Sequence, residues 1–213
     1  MGSSGVQIVC VALSILGLIG GIVTCIVPKW KVSSFVGSNI VTAQSTNEGI
    51  WMTCVSQSTG QQQCKQYDSM LILSGDLQAA RAMTIIGGLI LFLALLILLA
   101  GSDFTTCVQN TDAKPKMCLV AGIMILVSGF LLIIPVSWSA HNTITEFNNP
   151  LVMAQQKREL GACIFVGWAG SVLLLLAGGL LCCFSRPSGG SSSGGTAKYR
   201  SNGASGVSAP NYV

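Results

Sequence analysis

The residue types that most often do chemistry are thinly spread in this sequence. A single histidine, His141, has no second histidine or neighbouring cysteine to complete a metal site, and a nucleophile–base–acid arrangement would need that same imidazole. Helix-end solvation is the role left for it. Neither catalysis, a resident metal nor an organic cofactor is expected. Cysteine is the exception. Of nine cysteines, Cys54 and Cys64 stand by themselves in a polar segment with nine residues between them, Gly60 among these as a plausible turn. They are placed to staple the two arms of one hairpin, a crosslink typically contributing about 2–4 kcal/mol. A structural disulfide persists only in an oxidising compartment, which puts this segment outside the cell. Cys182 and Cys183 end the last apolar run and Cys107 follows the second, positions that invite palmitoylation. Cys10, Cys25, Cys118 and Cys163 read as plain apolar packing.

The elements that must position the cysteine pair are membrane spans. Charged residues make up 8% of the chain and hydrophobic ones 51%, whereas a soluble domain carries about 25% charged residues. So few charges cannot solvate a globule of this size, and a net charge of +4, dispersed along the chain, gives no reason to expect nucleic acid. Four apolar runs are long enough to cross a bilayer, which takes roughly 20 helical residues. Their expected extents are 7–27, 82–101, 117–139 and 161–184. The first is read as a retained span, because no Lys or Arg precedes it and its exit, "TCIVPKW", lacks a signal-peptidase site. Four spans leave residues 1–6, 102–116 and 185–213 on one side, and 28–81 and 140–160 on the other. Lys and Arg counts do not orient the chain, since Lys114, Lys116, Arg186, Lys198 and Arg200 face six on the opposite side. The cysteine pair does, and it places both termini in the cytosol.

No Asp, Glu, Lys, Arg or His falls within the four apolar runs. A pore or pump through the bundle needs polar groups at mid-depth, and only small hydroxyls such as Ser14, Thr24 and Ser128 are on offer. Gly17 and Gly21 are spaced for close helix packing, as are Gly167 and Ser171, either inside one bundle or between neighbouring molecules. Pro135 should kink the third helix or end its hydrogen-bond ladder. Between residues 28 and 81 the pattern shifts toward period two. "WKVSSFV", "NIVTA", "GIWMTCV" and "QCKQYDS" suit short strands. Trp30 stands at the bilayer exit, where an amphipathic ring is favoured, and Trp51 is expected to pack beneath the sheet. The tail, 185–213, is rich in Ser and Gly and poor in apolar residues, the composition of disorder.

The order Trp30, Gly49-Ile50-Trp51, Cys54, Cys64 resembles the signature of the claudins, the tight-junction tetraspan family, with Ile50 where Leu is usual. The likeness continues through "LQAARAM" with Arg81, "PVSWSAHN", "FNNPLV", "KRELGACIFVGWAGS" and the terminal Tyr212-Val213. "NIVTAQ", "QSTGQQQCK" and "NPLV" are similar to the branch containing claudins three and four. The resemblance implies a membrane α+β fold, a left-handed four-helix bundle carrying an extracellular antiparallel sheet of about five strands. It implies a protein that polymerises with itself and other claudins in one membrane and pairs with those of the adjacent cell, sealing the space between epithelial cells and setting its ion selectivity.

Residue by residue, the resemblance puts paracellular charge selectivity at Lys65, with Asp68 and Asp76 near enough to offset it. The prediction is a cation barrier; the other reading is a solvated surface lysine. It makes Met70 a knob for a neighbour's pocket around Phe147 and Leu160, unless Met70 only covers its own sheet. Asn148 stands where many relatives carry an aromatic. Asn149, Pro150, Leu151 and Val152 match the segment seized by a clostridial enterotoxin. The terminal Tyr212-Val213 matches a ligand for PDZ domains of zonula occludens scaffolds, with the Val213 carboxylate docking as the peptide adds a strand. The competing reading is an auxiliary tetraspan of the peripheral-myelin or calcium-channel gamma type, which the missing N-x-S/T sequon, the short 102–116 connection and the terminal Tyr-Val disfavour.

Overall fold

The computed structural model describes residues 4–35, 44–57, 59–67, 75–102, 113–150 and 158–185. Four helices carry the fold: α1 (Ser4–Ile26), α2 (Gly75–Gly101), α3 (Lys114–Asn148) and α4 (Ala162–Phe184). Each is long and apolar enough to cross a membrane. They pack α1 on α4, α4 on α3 and α3 on α2, with a thinner contact between α1 and α2. The shared core is made of small and aliphatic side chains, among them Cys10, Leu91, Ala121, Ile125, Leu174 and Leu181. Large apolar residues such as Ile86, Leu89, Phe130 and Leu176 face outward. That inversion is unstable in water and natural in hydrocarbon.

Glycine spacing is used within the molecule. A Cβ on Gly17 would lie 2.5 Å from Leu174 Cδ2 and one on Gly20 3.3 Å from Gly170 Cα, so α1 packs closely on α4, and a Cβ on Gly167 would lie 2.8 Å from Val136 Cγ2 of α3. Several buried hydroxyls are likewise taken up by helix carbonyls. Ser14 Oγ donates to Cys10 O at 2.7 Å, Thr24 Oγ1 to Gly20 O at 2.8 Å, and Ser128 Oγ reaches across to Gly87 O at 2.8 Å.

Two helices outrun the apolar runs that announce them. α2 begins at Gly75, seven residues before the expected span at Ala82, and so contains Asp76 and Arg81. α3 passes through Pro135 without ending and continues to Asn148, so Phe147 and Asn148, expected in a loop, are helical. The two extensions support each other. Asn142 Nδ2 donates to Asp76 Oδ2 at 2.9 Å, and Asp76 lies in the first turn of α2, where a carboxylate is favoured by the helix dipole.

Above the bundle sits one antiparallel sheet in the order β4-β3-β2-β1-β5. Its strands are β1 (Lys31–Phe35), β2 (Gln44–Glu48), β3 (Met52–Ser56), β4 (Gln62–Gln66) and β5 (Glu159–Leu160). β3 and β4 form the expected hairpin, turned at Gly60 with φ 79°. Gly60 N–H donates to Gln57 O and Gln57 N–H to Gln61 O, each at 3.0 Å. The second strand is "QSTNE" instead of "NIVTA", which lies outside the described residues. The fifth strand comes from the second long connection and pairs with β1.

Candidate functional site

The residues singled out by spacing converge on two places: a closed junction between sheet and bundle, and the open face of the sheet above it. Trp30 is the centre of the first. It is fully buried, and its Nε1–H donates to Thr24 O at 2.7 Å across the end of α1. It is thus a core residue at the end of the first span. Ile50, Leu77, Ala80, Val136, Ala140, Cys163 and Ile164 surround it, drawn from the turn between β2 and β3 and from α2, α3 and α4 together. Burying a tryptophan where the base of the sheet meets all four helices ties the sheet's orientation to the bundle's.

Gly49 and Gly161 let the backbones close on that core. A Cβ on Gly49 would stand 2.5 Å from Pro28 Cα. One on Gly161 would run into Lys29 O, because Gly161 N–H bonds Trp30 O at 2.9 Å and Cys163 N–H bonds Lys29 O at 3.1 Å. Both contacts are with backbone, which cannot swing aside.

Arg81 locks the underside. Its Nε–H donates to Ile50 O, and its guanidinium carbon lies 4.9 Å from the Trp51 ring centroid and 5.5 Å from that of Tyr67. Two aromatic faces and a carbonyl are a favourable setting for a delocalised cation with little residual exposure. Trp51 in turn donates from Nε1 to Cys25 Sγ at 3.3 Å. The Tyr67 hydroxyl accepts from Thr53 Oγ1 at 2.9 Å and donates to Gly49 O at 3.2 Å. The Gly-Ile-Trp run is therefore held from both flanks. Nothing in its spacing announces Tyr67 as a member.

Cys54 and Cys64 are disulfide-bonded across a direct β3–β4 pair, with Cys54 buried and Cys64 exposed. One register position away on the opposite face is Lys65, exposed on the edge strand β4. It opposes Thr53, which opposes Glu48, which opposes Lys31, which opposes Leu160. Directly opposed residues share a face, so one row of side chains runs across all five strands. Within it Lys31 is buried, and Glu48 is paired with Arg158, Nη1 to Oε2 at 3.0 Å. Neither Glu48 nor Arg158 has a periodicity that marks it in the sequence.

Phe147 and Leu160 line a common cavity of about 360 Å³ with Thr143, Ile144, Arg158 and Glu159. Asn148, Asn149 and Pro150 are exposed where α3 ends. Cys182 is half-buried and Cys183 exposed at the end of α4 away from the sheet. Asp68, Met70, Cys107, Leu151, Val152, Tyr212 and Val213 lie outside the described residues. Among the described residues no group of His, Cys, Asp and Glu could hold a metal ion.

Four apolar helices with a cystine-stapled five-stranded sheet seated on one end define a tetraspan membrane protein built to display a sheet. Comparison with known proteins gives the class its family. The model of the PMP-22/EMP/MP20/Claudin family matches residues 4–181. Human claudin-6 is 53% identical over 174 residues, covering 82% of this chain and 79% of the relative. Dog claudin-4 is 50% identical over 174 residues, covering 82% and 83%, and human claudin-3 is 51% identical over 171 residues, covering 80% and 78%. The chain belongs to the PMP-22/EMP/MP20/Claudin family, among the claudins, and is a structural membrane protein, not an enzyme.

Proposed function

We propose that this chain is a tight-junction strand protein. It polymerises side by side in one plasma membrane and pairs with molecules of the adjacent cell, and the strands so formed seal the space between cells and select the ions that leak through. The sheet and Cys54–Cys64 face the exterior, and both termini are cytosolic. The observation that carries the reading is the division of labour between bundle and sheet. The apolar runs of the spans hold no ionisable side chain of the Asp, Glu, Lys, Arg or His type, while the sheet, fixed by a buried tryptophan, presents an exposed edge strand with Lys65 on it. An ion path walled by such sheets needs no polar route through the bilayer.

Lys65 is read as a fixed positive charge on that wall, which lowers local cation concentration and raises that of anions. Met70 is read as the knob that enters a neighbouring molecule's cavity at Phe147 and Leu160, a contact for which a flexible thioether is suited. The exposed segment at Asn148, Asn149 and Pro150, continuing into Leu151 and Val152, is read as the trans contact and the enterotoxin-type site. Tyr212-Val213 is read as the PDZ ligand that connects strands to zonula occludens scaffolds, and Cys107, Cys182 and Cys183 as acylation sites. The decisive experiment is expression in fibroblasts that lack tight junctions, followed by freeze-fracture microscopy. Continuous intramembrane strands at cell contacts are expected. Good surface expression without strands overturns the reading.

A further inference from the structure

The pair between Glu48 and Arg158 is left without a role by the reading above. Glu48 lies in the same cross-strand row, on the same face, as Lys65. Two strand spacings separate their backbones, roughly 10 Å, close to the Debye length of about 8 Å at physiological salt. Charges at that separation act on the same passing ion. An unopposed carboxylate at Glu48 would cancel much of what the Lys65 ammonium does.

It is opposed by Arg158, and the partner comes from a different part of the chain. Glu48 ends β2 in the first long connection, whereas Arg158 immediately precedes β5 in the second. β5 is in turn hydrogen-bonded to β1 and packed on α3, so the guanidinium is delivered by a fixed element. The side chains are 38% and 21% exposed, Arg158 and Glu48 respectively, so water screens the pair only in part. The other charged groups beside the pair have defined places. Lys31 faces Glu48 directly from β1, and Glu159 opposes Val32 and so projects from the other face. Of the five residues in the row, Glu48 alone is a carboxylate.

We propose that Arg158 masks Glu48, and that this masking sets the charge preference of the sheet face for small inorganic ions. With the pair intact the row acts through the exposed Lys65 and favours anions over cations. With Arg158 neutralised, the exposed carboxylate admits cations. The inference rests on the paracellular reading of Lys65.

The test uses the full chain in epithelial monolayers, with strands verified by microscopy and the sodium-to-chloride permeability ratio taken from dilution potentials. Arg158→Gln should raise the ratio on the order of two-fold, as expected of one unit charge uncovered at this range. Glu48→Gln, which uncovers the guanidinium instead, should lower it by a similar factor. The double variant should return to the wild-type ratio, and Arg158→Lys should stay near it. If Arg158→Gln forms no strands, the opposed shifts of Glu48→Gln and its reversal in the double variant still decide the matter. Unchanged ratios in Glu48→Gln and the double variant, with strands intact, overturn the proposal and leave the pair a mechanical clamp. Lys65→Asp is the control. If it too leaves the ratio unmoved, the paracellular reading of this face fails first; if it shifts the ratio while the Glu48 and Arg158 variants do not, only the masking fails.

Discussion

The junction beneath the sheet and the β3–β4 margin at its edge are close in sequence and opposite in physical character. At the junction Trp30 and Ile50 are almost completely buried, two glycines admit no Cβ, and Arg81 is held by a carbonyl and two rings. At the margin every residue of β4 is exposed, and the turn at Gly60 has open space around it. The one is fixed because its two glycines abut backbone and its large side chains fill a closed core. The other is free to vary because little but the disulfide and one ladder of hydrogen bonds depends on it. A display scaffold needs both, a mount that cannot change and a surface that can.

The comparison breaks first if the mount proves dispensable. Gly161→Ala places a methyl against Lys29 O with no flexible group to yield, and should abolish folding as judged by surface delivery and a monodisperse detergent peak. Gly49→Ala, against Pro28, should do nearly the same. Trp30→Ala should cost about 3–5 kcal/mol, the range for emptying a buried aromatic site, read as a large drop in Tm in detergent. Arg81→Met should cost less than Trp30→Ala but more than a surface change, because it removes the stacked cation and leaves Ile50 O without its donor. Cys64→Ser should cost about 2–4 kcal/mol, and the loss should be matched by reductant acting on the wild type. A surface charge change at the margin should leave stability within about 0.5 kcal/mol of wild type.

The spans were legible because an apolar run of some twenty residues has few places to go but a bilayer. Their helical extensions were not. "AHNTITEFN" has no apolar run, yet α3 continues through it, because Thr143 packs inward and Asn142 reaches Asp76 on α2. A helix is longer than the hydrophobic stretch inside it wherever a neighbouring helix rises with it. The hairpin at Gly60 could be read from its cysteines and turn. β2 could not, since "QSTNE" is polar on both faces and owes its strand form to partners on either side. β5, two residues long, has no local signal at all. The site shows the same split. Spacing singled out Trp30, Gly49, Trp51 and Arg81, but their convergence on one core is a tertiary fact. Tyr67, Gly161, Glu48 and Arg158 join through contacts between distant segments, which no single-strand pattern records.

In the proposed function selectivity resides on the exposed face while the mount merely holds it. Its most direct test is Lys65→Asp in strand-forming epithelial monolayers, with dilution potentials and detergent Tm measured on the same variant. The sodium-to-chloride permeability ratio should rise with Tm unmoved and strands intact. An unchanged ratio in intact strands would contradict the proposed function.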